Sequence, residues 1–137
     1  MADAPTDREQ ISDVLVRYAT GIDTRNWVLF RTCFTPDVRA DYGAIGQWTD
    51  VDGITEFMTA AHQGMVATKH MISNVAADVD RDVASVVSYV HVVLVLAEDP
   101  PSWIDAVGHY VDRFVRTADG WRIGERTYRQ TRLLRSG

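Results

Sequence analysis

The chain predicts an α+β domain, with a cone-shaped, curved antiparallel sheet wrapped around N-terminal helices. Apolar residues recur every three to four positions as far as residue 61, and from residue 68 onward they alternate with a period of two. A run of helices followed by a run of long strands is typical of α+β folds. Because strands of this length curve in a small domain, we expect the sheet to surround helix one and enclose a pocket.

Three helices are expected before the long strands. Helix one spans about Asp7–Gly21, and Thr6 and Glu9 form a capping box at its start. A second, short helix carries Trp27 and ends before Pro36. The buried face of helix one carries Ile11, Val14, Leu15, Tyr18 and Ile22.

The rest of the chain is expected to form the sheet. A short strand, Val38–Tyr42, comes first, and a third helix capped by Asp52 follows it. Turns rich in Asp, Pro and Gly then separate four long strands. The expected ranges of these strands are Thr68–Val79, Val83–Ala97, Ile104–Thr117 and Trp121–Arg132.

The length and net charge of the chain argue against several classes of function. With 137 residues, the chain has room for one domain, expected over 1–137. A net charge of -5 without a basic cluster argues against a nucleic-acid partner. The longest apolar run, Val90–Ala97, is too short to span a membrane, and residues 1–7 carry no basic lead into an apolar segment, so we expect a cytoplasmic protein.

Polar residues at positions that favour apolar side chains are the main clue to function. Tyr18 and Asp23 lie near the end of helix one, Tyr42 ends a strand, His70 begins another, and Asp112 interrupts an apolar strand. Burying such groups costs free energy unless they have hydrogen-bond partners or a pocket uses them. Either a core network or a binding pocket is therefore expected.

His70 and Asp23 are the candidate catalytic pair. Imidazole titrates near neutral pH, and a carboxylate partner fixes its tautomer, so the pair can take and return a proton. A buried polar pair that locks the helix to the sheet would explain the same residues equally well. Tyr18 and Tyr42 are candidates for lining the pocket, although tyrosines also occur in ordinary cores.

Further residues are candidates for the substrate-binding wall. Asp112 belongs to it if it faces the pocket, and strand alternation does not settle which face it occupies. His91, Asn74, Trp27 and Phe57 complete the wall.

Metal and cofactor sites are not indicated. His62 and His70 lack metal-ligand spacing, and we assign His62 and His109 to the surface or an interface. The lone Cys33 supplies no pair of thiolate ligands, and no glycine-rich phosphate loop follows a strand. Chemistry without a metal or a cofactor is therefore expected.

Several local strings, in order, resemble the SnoaL-like and scytalone dehydratase-like branch of the nuclear transport factor 2-like superfamily. They are Arg17-Tyr18, Ile22-Asp23-Thr24-Arg25-Asn26-Trp27, Phe34-Thr35-Pro36-Asp37, Asp41-Tyr42-Gly43, His70-Met71-Ile72-Ser73-Asn74, Gly108-His109-Tyr110-Val111-Asp112-Arg113 and Asp119-Gly120-Trp121-Arg122-Ile123 with Arg126. The resemblance implies an α+β cone with a deep apolar pocket for a small cyclic or polyketide-like compound.

The resemblance also implies roles for individual residues. Asp23 matches the aspartate that supports the catalytic histidine of the dehydratases, His70 matches that histidine, and Tyr42 matches a carbonyl-holding tyrosine. The family's other tyrosine corresponds to Ile22 here, and Tyr18 lies one helical turn earlier. The dehydratases also place a second histidine in the strand that contains His91.

The leading hypothesis is a cofactor-independent lyase or isomerase acting on a hydrophobic small molecule. Two related chemistries are open: epoxide hydrolysis as in limonene epoxide hydrolases, and isomerisation as in ketosteroid isomerases. The first needs an Asp-Arg-Asp set, whereas the adjacent Asp112 and Arg113 point to opposite strand faces. A non-catalytic binding or assembly module is the alternative class, with a pocket filled by Trp27, Trp48, Trp103 and Phe57.

A homo-oligomer is expected, with a dimer favoured and a trimer as the alternative. The expected contact is the outer face of the sheet, with Val86, Val90, Val92, Leu94 and Ile123 as apolar surface and Arg122, Arg126 and Tyr128 at its rim.

Overall fold

Within residues 4–136, three α-helices and five strands follow the predicted order, and a two-residue strand, Gln47–Trp48, was not predicted. The computed structural model describes residues 4–136, so the first three residues of the acidic segment considered above lie outside the description. The helices are α1 (Asp7–Asp23), α2 (Trp27–Arg31) and α3 (Val51–Ala61), and the strands are β1 (Phe34–Asp41), β2 (Gln47–Trp48), β3 (Met65–Asp80), β4 (Val83–Leu96), β5 (Ser102–Thr117) and β6 (Gly120–Arg135).

The helix starts depend on side-chain caps. The Thr6 hydroxyl accepts from the Glu9 amide at 3.2 Å, and the Glu9 carboxylate accepts from the Thr6 amide at 3.0 Å, which confirms the capping box. Asn26 caps α2 through the Leu29 amide. The predicted cap of α3 is wrong by two residues, because Asp50 is extended and its side chain accepts from the Gly53 amide at 2.7 Å.

The sheet has the order β2-β1-β6-β5-β4-β3, is curved, and does not close into a barrel. Strands β3 to β6 form the predicted antiparallel meander. The sheet is not antiparallel throughout, because β1 runs parallel to β6, from which it is separated in the chain by β2, α3 and β3 to β5. Register shifts interrupt β3 between Ser73 and Ala76, and β5 and β6 at two places.

The hydrophobic core lies between the helices and the inner face of the sheet. Its fully buried side chains include Ile11, Leu15, Phe30, Phe114 and Ile123. Here the structure corrects the expected apolar contact surface. Val86 and Val90, like Ile123, are at most 1% exposed, because they share the inner face with Tyr110 and Phe114. Val92 and Leu94 follow on the same inner face.

The outer face of the sheet is nevertheless apolar in places. Val87, Tyr89 and Val111 are 38%, 51% and 47% exposed, and register pairs place them together on neighbouring strands. Within residues 4–136, no helix is long and apolar enough to cross a membrane.

We predict that Gly108→Ala destabilises the fold. A Cβ at this position would lie 2.5 Å from the Arg129 carbonyl oxygen and 2.7 Å from the Tyr128 ring, so β5 and β6 would have to separate. We expect a loss of about 1–3 kcal/mol in urea unfolding. Gly64→Ala is the matched control, because nothing lies within 4 Å of its added Cβ, and an equal loss in both variants would contradict the prediction.

Candidate active site

An apolar cavity of about 210 Å³ opens between α3 and the inner face of the sheet. Its apolar lining includes Phe57, Met58, Val92, Leu94, Ile104 and Leu133. Its polar lining includes Tyr18, Tyr42, His62, His70, Tyr110 and Gln130. A pocket that is mostly apolar with a few convergent polar groups is the usual form of a small-molecule site.

The carboxylate of Asp23 joins the end of α1 to the start of β3. Its Oδ1 lies 2.7 Å from His70 Nδ1 and accepts from the Thr68 hydroxyl at 3.0 Å. Its Oδ2 accepts from the His70 backbone amide at 2.8 Å. The His70 side chain is 8% exposed and that of Asp23 is 14% exposed, so the pair is largely shielded from solvent.

These contacts set the charge of Asp23 and the tautomer of His70. Burial by itself raises the pKa of the Asp23 carboxyl, but the hydrogen bonds from His70 and Thr68 outweigh it and lower the pKa below the ordinary value. Since the carboxylate accepts, His70 Nδ1 donates, and Nε2 of the neutral ring carries the lone pair. This Nε2 has no hydrogen-bond partner among residues 4–136 and is not occluded, so it can act on a molecule in the cavity.

Arg25 contacts the Asp23–His70 pair indirectly, through Thr68. Its guanidinium donates to the Thr68 hydroxyl at 2.9 Å, to the Ile22 carbonyl at 2.8 Å and to the Met65 carbonyl at 3.2 Å. Arg25 has a φ of 57°, a left-handed conformation that is uncommon outside glycine. The chain from Arg25 through Thr68 to Asp23 therefore positions the carboxylate that orients His70.

Four tyrosines form a second polar group beside the cavity. The Tyr18 and Tyr42 hydroxyls are 2.8 Å apart, and the rings of Tyr110 and Tyr128 pack against Tyr42. Burial raises the pKa of Tyr18 and of Tyr42 well above the ordinary value. Both phenols therefore stay protonated and act as hydrogen-bond donors.

A buried ion pair lies behind the tyrosines. Arg126 donates to both carboxylate oxygens of Asp112 at 2.8 Å, and neither side chain is exposed. The guanidinium carbon lies 4.4 Å from the centre of the Tyr18 ring and 3.7 Å from that of Tyr110. Burial raises the pKa of the Asp112 carboxyl, while the adjacent guanidinium lowers it.

The expected exposure of Arg126 at an oligomer rim is wrong. A register shift leaves one extra residue in β6, because Arg113 pairs with Glu125 while Phe114 pairs with Ile123. After this bulge the inward positions change parity, so Arg126 points inward with Tyr128. Simple alternation along the strand could not show this.

His62 is a cavity residue that sequence reasoning missed, as are the polar lining residues Tyr110, Tyr128 and Gln130. We expected His62 at the surface, but it is 7% exposed, follows α3 directly and lines the cavity beside His70. The ring centres of the two histidines are 6.2 Å apart. The available sequence signal was its position one turn after Met58 on the buried face of α3.

The predicted site residues divide by location. His70, Tyr18, Tyr42 and Phe57 line the cavity, and Asp23 lies directly behind His70. Asp112 is covered by the tyrosines rather than exposed to the cavity.

Three predicted wall residues, Trp27, His91 and Asn74, do not line the cavity. Trp27 packs behind the cavity against Phe30 and His62, without lining it. His91 lies on the outer face of the sheet and bonds Asp105 at 3.0 Å, because its strand position has the opposite parity from Val90.

Asn74 is also outside the cavity wall. It is exposed and has a φ of 50° at the bulge of β3, a conformation that asparagine tolerates. Among residues 4–136, no three His, Cys, Asp or Glu side chains are grouped closely enough to hold a metal ion.

These features define a pocket-bearing α+β cone of the nuclear transport factor 2-like type. The chain belongs to the SnoaL-like family, since the model of the SnoaL-like domain matches residues 3–127. An uncharacterized protein of Mycobacterium tuberculosis is 34% identical over 122 residues, which cover 86% of this chain and 81% of the relative. The predicted family is therefore confirmed.

Solved structures share the fold over nearly the whole chain. The Kfla4162 protein of Kribbella flavida is 28% identical with a TM-score of 0.88, covering 96% of this chain and 95% of that one. A Novosphingobium aromaticivorans protein provisionally assigned as a scytalone dehydratase is 22% identical with a TM-score of 0.81, covering 91% and 84%. The hexachlorocyclohexane dehydrochlorinase LinA-type3 of Novosphingobium barchaimii is 16% identical with a TM-score of 0.83, covering 94% and 89%.

We predict that Asp112→Asn costs about 3–5 kcal/mol in the free energy of unfolding, because it leaves a buried guanidinium without its counter-charge. Chemical denaturation measures this loss. The double variant Asp112→Leu with Arg126→Leu should lose less than the sum of its two single variants.

Asp119→Asn is the control for this prediction. Asp119 forms an exposed ion pair with Arg122, and such pairs contribute little. A similar loss at both sites would show that burial of the Asp112 pair is not energetically important.

Proposed function

We propose that the protein is a cofactor-independent lyase or isomerase that moves a proton next to a carbonyl group of a small hydrophobic molecule. The observation that carries this proposal is the Nε2 of His70, which is open beside an apolar cavity while an ionised Asp23 holds Nδ1. A base needs an unprotonated nitrogen within reach of its substrate and a pKa near the working pH.

The proposed reaction starts at His70. Its Nε2 takes a proton from the carbon next to the carbonyl, and the electron pair of the broken C–H bond moves to the carbonyl oxygen. The resulting imidazolium is stabilised by the Asp23 carboxylate, 2.7 Å from Nδ1. The enolate oxygen accepts a hydrogen bond from the hydroxyl pair of Tyr18 and Tyr42, two residues that line the cavity.

Arg126 supports the negative charge from behind the tyrosines. Its guanidinium faces the Tyr18 and Tyr110 rings in a site from which water is excluded, where electrostatic effects are larger than in solution. His70 then returns its proton. Return to another carbon completes an isomerisation, whereas transfer to a departing hydroxyl completes an elimination of water.

The names of two fold neighbours fit the elimination branch. One is provisionally assigned as a scytalone dehydratase and the other is a dehydrochlorinase, and both names describe eliminations. At 22% and 16% identity the likeness concerns the fold alone, so the elimination rests on the His70 geometry of this chain.

The binding-module alternative is favoured by one observation. The Asp23–His70 pair also ties α1 to β3, which a pocket without turnover would equally need. The expected signature of that class was a pocket filled by aromatic side chains, and Phe57 is the one of the four expected residues that lines the cavity. Epoxide hydrolysis would need Arg126 and Asp112 in the cavity, and both lie behind the tyrosines.

We predict that His70→Gln lowers proton abstraction by about 10²–10⁴-fold, the usual contribution of a general base. Exchange of hydrogen for deuterium beside the carbonyl, followed by NMR for a panel of compact cyclic ketones and β-hydroxy ketones in D₂O, measures this step directly. Asp23→Asn should lower the rate in the same direction, because Nδ1 then loses its anionic partner.

His109→Gln is the control for histidine removal outside the cavity. His109 lies on the outer face, opposite Tyr89, so its loss should leave exchange unchanged. Exchange at the wild-type rate in His70→Gln, or none by the wild type with any panel member, would reject turnover by this mechanism and favour the binding module.

We also propose that the protein is a homodimer through the outer face of its sheet. The exposed Val87, Tyr89 and Val111 form an apolar patch on the outer face, and the ion pairs of Asp105 with His91 and Arg132 lie further along the sheet, which suits contact with a second copy.

Light scattering at micromolar concentration should give the mass of two chains, and Val111→Arg should give the mass of one. Val28→Arg is the matched control, because Val28 is 78% exposed on α2, away from the sheet face. A wild-type mass of one chain that does not change on dilution would contradict the dimer.

A further inference from the structure

His62 presents an unused nitrogen beside the cavity. Its Nδ1 lies 2.7 Å from the Met58 carbonyl oxygen, one helical turn earlier in α3. A carbonyl cannot donate, so Nδ1 carries the hydrogen. The ring packs between Trp27 and His70, at ring-centre distances of 5.8 and 6.2 Å. This packing restricts rotation of the His62 side chain.

The other nitrogen of this ring is a hydrogen-bond acceptor. Burial lowers the pKa of His62, so the ring is neutral at neutral pH and Nε2 carries a lone pair. In residues 4–136, Nε2 has no hydrogen-bond partner, and it is not among the occluded polar atoms. It therefore has open space next to it.

Capping of α3 accounts for Nδ1 of His62 but not for Nε2. Histidines near the end of a helix often donate to its last carbonyls, and Nδ1 does so here. A phenylalanine would fill the same volume without placing a second, unpartnered nitrogen at the cavity, so capping does not account for Nε2. A ligand that donates a hydrogen bond to Nε2 gives this nitrogen a partner.

We propose that His62 Nε2 accepts a hydrogen bond from a hydroxyl group of the ligand and selects hydroxylated carbonyl compounds. The inference rests on the proposed function for the carbonyl contact, which the Tyr18 and Tyr42 hydroxyls make, and it adds the second anchor. His62 is here a positioning residue, and proton transfer stays with His70.

Cavity size restricts the ligand further. A volume of about 210 Å³ is below the range of about 300–1,000 Å³ typical of drug-sized ligands, while a cavity of about 150 Å³ holds a benzene ring. The ligand class is therefore a single ring, or a chain of similar size, with one carbonyl and one hydroxyl group and otherwise apolar surface.

The test uses two pairs of probes that differ in one group. 4-Hydroxyacetophenone is compared with 4-methylacetophenone, and 3-hydroxyacetophenone with 3-methylacetophenone, by calorimetric titration of the full chain. We expect the wild type to prefer the hydroxyl in at least one pair by about fivefold, the size of one net hydrogen bond. His62→Phe should abolish this preference, and His109→Phe on the outer face should keep it.

A second measurement does not depend on the folding of a variant. Long-range ¹H–¹⁵N NMR of the wild-type imidazoles should show Nδ1 of His62 protonated and Nε2 unprotonated. Nε2 should shift on addition of the preferred hydroxyacetophenone but not of its methyl partner. Protonation at Nε2 in the free protein, or equal shifts with both probes, would overturn the inference.

The outcomes separate this inference from the proposed function. No preference in either pair, or a preference that survives His62→Phe, overturns the role of His62 and leaves proton abstraction by His70 intact. A preference that depends on His62 in a protein that exchanges no ketone protons supports the hydroxyl anchor and contradicts turnover.

Discussion

Arg126 places a permanent positive charge between the sheet and α1, and the surrounding side chains compensate it. Asp112, on the neighbouring strand, supplies two parallel hydrogen bonds, and the faces of Tyr18 and Tyr110 cover the guanidinium. A buried pair of this kind contributes little net stability compared with an apolar pair of the same size, but it is costly to break. The Tyr18 and Tyr110 rings that shield this charge also border the cavity, so the ion pair fixes the wall that a ligand contacts.

Asp23 has an unfavourable electrostatic position in its own helix. It ends α1, where the helix dipole is negative, and the last turn of this helix carries no basic residue. Its charge is compensated from outside the helix by the His70 backbone and ring, by Thr68 and, one step further, by Arg25. Departures from local consistency concentrate at functional sites. Here the departure places an ionised carboxylate where it can hold one tautomer of a buried imidazole.

Features that depend on residues close together in the sequence were mostly predicted, whereas side-chain positions that depend on strand register were missed. Hydrophobic period was enough for the helices and for the order of elements along the chain, and the family strings were enough to bring Asp23 and His70 to one place. Capping chemistry located the start of α1 but misplaced the cap of α3 by two residues. The inward turn of Arg126 depends on one extra residue in β6, and the inner position of Val86 depends on which face the helices cover. Such information resides in pairing between strands, and a one-residue shift reverses the faces of every residue beyond it.

The hydrogen-bond capacity of the tyrosine pair shows why the histidines matter for orientation. Each phenol has one hydrogen, and the 2.8 Å contact between Tyr18 and Tyr42 uses one of the two. One hydroxyl hydrogen is therefore left to this pair for a ligand oxygen, so the pair fixes a single acceptor atom and leaves rotation about it free. The apolar walls resist such rotation only by shape. A second directional contact has to come from a group of another kind, and Nε2 of the neutral His62 ring is an acceptor, which suits a ligand that carries its own donor.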